Sequence, residues 1–403
     1  MTDALAVPVA GQAQVTRAQL MREAERRTGL GCWGDDLSFL VGLDTLLAAV
    51  ETMADAAVVR EPVREQAIAL LCTRLRLEDD ARHHPEILKG RIERPLIVAG
   101  LPRTGTSWLF ELLALDPAAR APLEWEAAAP WPAPEIASFA TDPRIAALQA
   151  GYDGLLAAAP ELATMHEFGA LLPAECNTVM QLHFASSNFW AAYAVPDYIA
   201  WLSTERPAGT FATHKRVLQQ LQWKGPRGRW LLKSPPHLLM VDELVEAYPD
   251  ACIVQTHRDP ARTIASLANM VRTLRMVRFP AVRSVQDAKE IARAVLLHFG
   301  QALERGTKSR EKPEIDSCFF DVAYRDLITD PTGVIKRIYA HFDLPFTRGY
   351  QDRLAAHLAA PRATGHGAHK YDMSEFGLDE LDLPGRFPAY RARFGHLLSD
   401  TTA

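Results

Sequence analysis

Four uncharged residues, Leu96-Ile97-Val98-Ala99, run into the segment Gly100 to Ser107, which reads G-L-P-R-T-G-T-S. Trp108, Leu109, Leu112, Leu113 and Leu115 then recur at helical spacing. A short apolar run of this kind suits a strand buried on both faces, and the spacing after the loop suits one face of a helix. A strand–loop–helix unit needs a parallel sheet around it to cover both faces. Three more runs supply strands for that sheet: Trp230-Leu231-Leu232 ending at Lys233, Ala251 to Thr256 ending at His257 and Arg258, and Cys318 to Val322 ahead of Tyr324. A helix is expected from His237 to Ala247, and another opens with Asp259 as N-cap and Pro260 at the first helical position. The expected fold is α/β, with a mostly parallel sheet flanked by helices on both faces. Ligands of such sheets bind beyond the carboxyl ends of the strands, where the polar residues that end these runs collect.

The chain has 403 residues, 48% hydrophobic and 23% charged, enough for one large α/β domain with insertions or for two modest ones. Residues 1–94 read as a helical prefix packed on the core, with Phe39, Leu43, Leu46, Leu47 and Val50 on one helical face and Ala67, Leu70, Leu71 and Leu75 on another. Residues 95–403 form the α/β domain, with a helical insertion over about 125–225. A balance of 44 Lys and Arg against 49 Asp and Glu, net −5, argues against a general nucleic-acid binder. The five cysteines are far apart and match neither a CxxC pair nor zinc-ligand spacing. They fit free thiols in a reducing, cytoplasmic compartment. The first residues lack a basic region followed by a long apolar run, and no stretch reaches the ~18 apolar residues of a membrane span. The expectation is a soluble protein without a membrane segment or metal site, compatible with an oligomer.

The Gly100–Ser107 loop keeps both glycines and the final hydroxyl of the nucleotide-binding pattern G-x-x-x-x-G-K-[ST], but Thr106 replaces the lysine. Backbone N–H groups still converge on an anion, and the following helix adds its positive end. The lysine that reaches the outer phosphates of a triphosphate is gone, and the cation has moved to Arg103. This P-loop-like arrangement suits one 5′ anionic group.

Pro102-Arg103-Thr104-Gly105-Thr106-Ser107 resembles the 5′-phosphosulfate loop of the sulfotransferases that use 3′-phosphoadenosine 5′-phosphosulfate (PAPS), in particular their bacterial branch and the related tyrosylprotein enzymes. The resemblance covers roughly Pro95 to Tyr371. It implies that Arg103, Thr104, Gly105, Thr106, Ser107 and Trp108 surround the phosphosulfate. It also implies a second anion pocket for the 3′-phosphate, made by an Arg at the end of a strand and a Ser eight residues later. Arg258 and Ser266 match that pair within H-R-D-P-A-R-T-I-A-S. An Arg offers phosphate a planar fork of donors. Arg262 shares a helix face with Ser266. Tyr324 resembles the family's tyrosine beside the nucleotide, and Arg362, His369 and Lys370 lie in a Gly- and His-rich stretch similar to its closing C-terminal loop.

Sulfuryl transfer follows the logic of in-line phosphoryl transfer: a base removes the acceptor's proton and cations meet the charge on the leaving oxygen. Arg103 and Lys233 are the candidate cations, the latter similar to a catalytic lysine of the tyrosylprotein enzymes. For the base, family members carry a Glu about twenty residues after the loop. Glu124 and Glu126 both fit; alternation in an extended segment puts them on one face. The W-E pair favours Glu126, because it resembles the bacterial branch. His166 stays in play because animal enzymes of the family use a His, and Glu175 is a weaker candidate. The aromatic-rich stretch from Trp125 to Trp223, including Phe168, Phe184, Phe189, Trp190, Tyr193 and Tyr198, lies where family members build the acceptor pocket. It points to a small, apolar alcohol, phenol, lipid or sterol-like acceptor. Two rivals are a P-loop phosphotransferase and a non-catalytic nucleotide-binding protein. The missing loop lysine and the Arg258/Ser266 pair count against the first.

Overall fold

A computed structural model of the chain describes residues 15–53, 56–160, 162–165, 167–279, 287–360, 373–378, 383 and 385–398. Five strands form one sheet: β1 (Leu96–Gly100), β2 (Ala119–Arg120), β3 (Arg229–Lys233), β4 (Cys252–His257) and β5 (Phe319–Ala323). Their order is β2-β3-β1-β4-β5, and every neighbouring pair is parallel. β1 sits at the centre, in register with β3 at Val98–Lys233 and with β4 at Gly100–Thr256. All five carboxyl ends therefore emerge along one edge, with the phosphate-type loop in the middle.

The strands are apolar on both faces because both are covered. Ile97, Ala99, Trp230, Leu232 and Ile253 point to one side, where they pack with Val217, Leu218 and Leu221 of the helix Thr210–Lys224. Leu96, Val98, Leu231, Val254 and Val322 point to the other, against α4 (Thr106–Ala114) and the helix Pro331–His341. The period of two along each strand sorts the side chains between these two cores.

A third core is mostly helical. α1 (Arg17–Thr28), α2 (Phe39–Glu51) and α3 (Ala56–His83) contribute Leu20, Phe39, Leu43, Leu46 and Ile68. These pack with Phe189, Tyr198, Ile264, Phe299 and Phe394 from helices that follow the sheet's first strand. Thr16 caps α1 with a reciprocal capping box with Gln19, and Gly29 ends it in the left-handed conformation, φ 71°.

Two local expectations change, and one short strand was not anticipated. The segment after Lys233 begins as a 3₁₀ turn over Pro235–Met240, and the α-helix covers only Val241–Ala247; two consecutive prolines without N–H groups favour the tighter start. The residues around Glu124 form a short helix, α5 (Glu124–Ala128), instead of an extended segment. Leu123 is extended at its N-cap, and the Glu126 carboxylate accepts the Leu123 N–H at 3.0 Å, half of a capping box. β2 is two residues long, too short for its apolar pattern to register.

Candidate active site

Gly100 closes β1 with φ 127°, and a Cβ there would collide with the Thr256 hydroxyl and carbonyl of β4. In the loop beyond it, Arg103 and Gly105 are both left-handed, with φ 68° and 89°. Left-handed residues in a turn swing successive N–H groups to one side, which makes an anion-binding hollow. A non-glycine in this region costs about 1–2 kcal/mol, so Arg103 is held there by the loop around it. Thr104 supplies part of that hold. Its buried hydroxyl donates to the Leu101 carbonyl at 2.6 Å and shares a hydrogen bond with the Thr256 hydroxyl at 2.5 Å. The Thr104 side chain thus stitches the loop to β4.

Arg258 stands one residue past β4. Its guanidinium lies 4.0 Å from the centre of the Tyr324 ring and donates to the Arg103 carbonyl at 3.2 Å. Tyr324 opens the helix after β5, and a Cβ on Gly105 would approach its ring at 3.2 Å and Leu327 at 2.9 Å. The fold therefore brings Arg103, Gly105, Arg258 and Tyr324, spread over more than two hundred residues, into one contact set at the sheet edge. Ser266 is half-buried within the helix Pro260–Arg278, and Arg262 is exposed near its start. Thr106 is buried at the start of α4, and the half-buried Trp108 stacks 5.7 Å from His357. His166, Arg362, His369 and Lys370 lie outside the described residues.

A second cluster adjoins the loop. Lys233, 3% exposed at the end of β3, donates to the exposed Ser107 hydroxyl at 3.1 Å and forms an ion pair with Glu175. Glu175 is the N-cap residue of the helix Cys176–Met180. Beside this pair, burial pushes the Glu124 carboxyl up to about 7; the neighbouring Glu175 charge adds to the rise, while Lys233 opposes it. The Tyr152 hydroxyl, from α6 (Pro143–Ala158), donates to Glu124 Oε2 at 3.1 Å.

Glu126 has a different setting. It is fully buried, with one carboxylate oxygen paired to Arg120 and the other taken by the Leu123 N–H. Arg120 in turn stacks 5.0 Å from the Trp230 ring. On a helix, positions two apart face away from each other, so the expectation that Glu124 and Glu126 share a face fails with the extended segment on which it rested. Glu126 is bound into the fold; Glu124 faces Lys233 and Glu175.

The aromatic stretch also divides. Trp125, Phe184, Phe189, Trp190, Tyr193 and Tyr198 are at most 2% exposed; all but Trp125 belong to the helical core, so these six are packing residues instead of pocket lining. A half-buried apolar group lies elsewhere: Leu155, Leu156, Phe168, Met270, Leu274 and Val277 pack around the buried Ala159 and Leu162, and Phe168 is 5.7 Å from the Tyr152 ring. Tyr152 and Arg120, the hydrogen-bond partners of the two glutamates, carry no motif that announces them.

The model of the family described as "Sulfotransferase family" matches residues 95–348. An omega-hydroxy-beta-dihydromenaquinone-9 sulfotransferase of Mycobacterium bovis is 25% identical over 284 residues, 66% of this chain, and the counterpart from Mycobacterium tuberculosis matches equally. The match spans 66%, just under two thirds, of the length of these curated relatives. Among solved structures, sulfotransferase STF9 of Mycobacterium avium superposes with a TM-score of 0.82 at 29% identity, over 96% of this chain and 98% of that one. Sulfotransferase STF1 of Mycobacterium tuberculosis gives 0.76 at 28% identity, over 95% and 99%. With the loop, the strand-end arginine and the parallel sheet in place, the matched region carries the conclusion: the chain belongs to the sulfotransferase family.

Proposed function

We propose that the protein transfers a sulfuryl group from PAPS to the hydroxyl of a small apolar acceptor, with Glu124 as the general base. The observation that carries this reading is the meeting of Lys233, Glu175 and Glu124 beside Ser107, the residue on which the phosphate-type loop passes into α4. The two cationic positions fit a donor that is anionic at both ends. Arg103 and the loop N–H groups serve the 5′ end, and Arg258, stacked on Tyr324, serves the 3′-phosphate together with Ser266. Bound PAPS supplies an activated sulfuryl group and a phosphate leaving group.

The chain's own residues do the rest. Glu124, with a carboxyl near 7, takes the acceptor proton from a position where both of its protonation states are within reach at neutral pH. Lys233 and Arg103 place positive charge where the bond from sulfur to the leaving oxygen breaks. Tyr152 occupies Oε2 of Glu124 and leaves Oε1 for the acceptor proton. The half-buried apolar group around Leu155, Phe168 and Met270 supports an apolar acceptor, since it lies beside Tyr152. The mycobacterial relative, named for an omega-hydroxy menaquinone derivative, points the same way. Lys233 is paired with Glu175 and over 90% buried, so its charge is pre-set for the reaction instead of being recruited from solvent.

Calorimetry with 3′-phosphoadenosine 5′-phosphate, ADP and ATP tests the donor. Preference for the 3′-phosphorylated ligand, lost in Arg258→Ala, is the expected result; equal or better binding of ATP sinks it. For the base, Glu124→Gln is expected to lower kcat by about 10²–10⁴ with the fold intact, while Glu126→Gln acts on stability. Full activity of Glu124→Gln removes it from the mechanism.

A further inference from the structure

Arg258 is held from behind by a part of the chain more than a hundred and twenty residues away. The residue before it, His257, is fully buried and receives the C-terminal helix Pro388–Phe394. His257 Nδ1 lies 2.9 Å from the Tyr390 hydroxyl, and the Phe394 ring stacks on the imidazole at 4.4 Å. The residue after it, Asp259, caps the helix Pro260–Arg278 through the Ala261 N–H at 3.0 Å, and the same carboxylate oxygen accepts from Arg391 Nη2 at 2.9 Å. The C-terminal helix thus grips both sequence neighbours of Arg258 and leaves the Arg258 side chain to run forward to Tyr324 and the loop.

The grip is braced. His257 Nε2 is 2.8 Å from Asp321 Oδ1, and Arg310 holds both oxygens of Asp321 at 2.7 and 2.9 Å. Arg393 returns to this layer by donating to the Arg310 carbonyl at 2.9 Å and pairing with Asp316 at 2.6 Å. Asp321 accepts at Nε2, so the neutral imidazole carries its proton there, and Nδ1 is the acceptor for Tyr390. A folded sheet needs none of this to end β4. A guanidinium fork that must meet a phosphate at fixed angles does, because misplacement by about 1 Å costs up to ~10²-fold in such sites.

We propose that Tyr390 and Arg391 are positioning residues for Arg258, and that the C-terminal helix sets the protein's selectivity for a 3′-phosphorylated nucleotide. The inference rests on the donor reading above. It is tested by calorimetry with 3′-phosphoadenosine 5′-phosphate and adenosine 5′-phosphate on the full chain, comparing the unaltered protein with Tyr390→Phe, Arg391→Ala and each of these combined with Arg258→Ala. The expected result is a roughly ten- to hundredfold loss of preference for the 3′-phosphorylated ligand in each single variant. Binding of adenosine 5′-phosphate stays unchanged, and the clamp substitutions have no further effect once Arg258 is gone. Equal weakening of both ligands, or a preference intact in Tyr390→Phe and in Arg391→Ala while Arg258→Ala abolishes it, overturns the inference and leaves the donor reading standing. An unaltered protein with no preference overturns the donor reading first, and the inference with it.

Discussion

Glu124 and Glu126 are two positions apart, yet the chain treats them in opposite ways. Glu126 is neutralised by Arg120 in the core, and Glu124 is desolvated with its proton held up to about 7. A base must be unprotonated, so the rate is expected to rise with pH through about 7 in a kcat/KM profile. The Tyr152 hydrogen bond favours the charged carboxylate. Tyr152→Phe is therefore expected to move this acid limb to higher pH, and a limb that does not move takes Tyr152 out of the mechanism. The same burial has a signature in stability. The folded protein binds this proton more tightly than the unfolded chain, so burying Glu124 is paid for above pH 4.5, most fully above 7. Glu124→Gln is expected to raise the melting temperature at pH 8 more than at pH 5, by the equivalent of ~2–3 kcal/mol. From the sequence, Arg103, Lys233 and Arg258 were readable as candidates because each sits in the loop or at the end of an apolar run, and Tyr324 because its segment resembles that of the family. The choice between the glutamates was not, because a five-residue helix is too short to show a period. Their partners Tyr152 and Arg120 reach them across element boundaries that no local pattern records.

Among elements, the loop between β1 and α4 carries the tightest fit. Gly105 has φ 89°, and a methyl group added there would meet the Leu327 side chain at 2.9 Å and the Tyr324 ring at 3.2 Å. Gly105→Ala is expected to destabilise the protein by about 1–3 kcal/mol and to weaken donor binding, because a side chain at this positive φ is strained and the added carbon crowds the Tyr324 ring beside the Arg258 guanidinium. Thermal unfolding and nucleotide calorimetry check both parts, and unchanged values in each would refute the packing account. β1, β3, β4 and β5 were legible as apolar runs of about five residues, since a strand covered on both faces has no polar alternation to hide it. The helical nature of Leu123 to Ala128 was masked by two glutamates that alternate as they would in a strand; the Glu126 bond to the Leu123 N–H settles the local structure instead.

At the scale of the whole molecule, the helical prefix is continuous with the rest. Phe39, Leu43 and Ile68 share a core with Phe299 and Phe394. Ile68→Ala, in a fully buried position, is expected to remove about 2–5 kcal/mol while leaving kcat of the folded enzyme near its original value. A large drop in kcat at a temperature where the variant is folded would show that the prefix does more than pack. Acid weakens the other side of the molecule. Burial works against the Asp321 charge, but hydrogen bonds from Arg310 and His257 hold its carboxyl well below the usual range. Its contribution to stability is complete above the ordinary carboxylate range and is lost as pH falls toward its folded value. The prefix was legible in the sequence as helices, but its partners were not: Phe184, Phe189 and Tyr198 lie in a stretch that also matched an acceptor pocket, and Phe299 and Phe394 come from helices far along the chain.

The central strand has one more consequence. Leu96 pairs with Leu231 on one side and with Cys252 on the other, both more than a hundred residues downstream. On a ribosome, β1 emerges long before either neighbour exists; its apolar side chains stay uncovered and its backbone unpaired until β3 has been made, and its second edge waits for β4. Loops of that length close slowly, and exposed strand edges invite association while they wait. Expression yield is thus expected to depend on chaperones and on temperature during synthesis, more than the finished protein's stability would suggest.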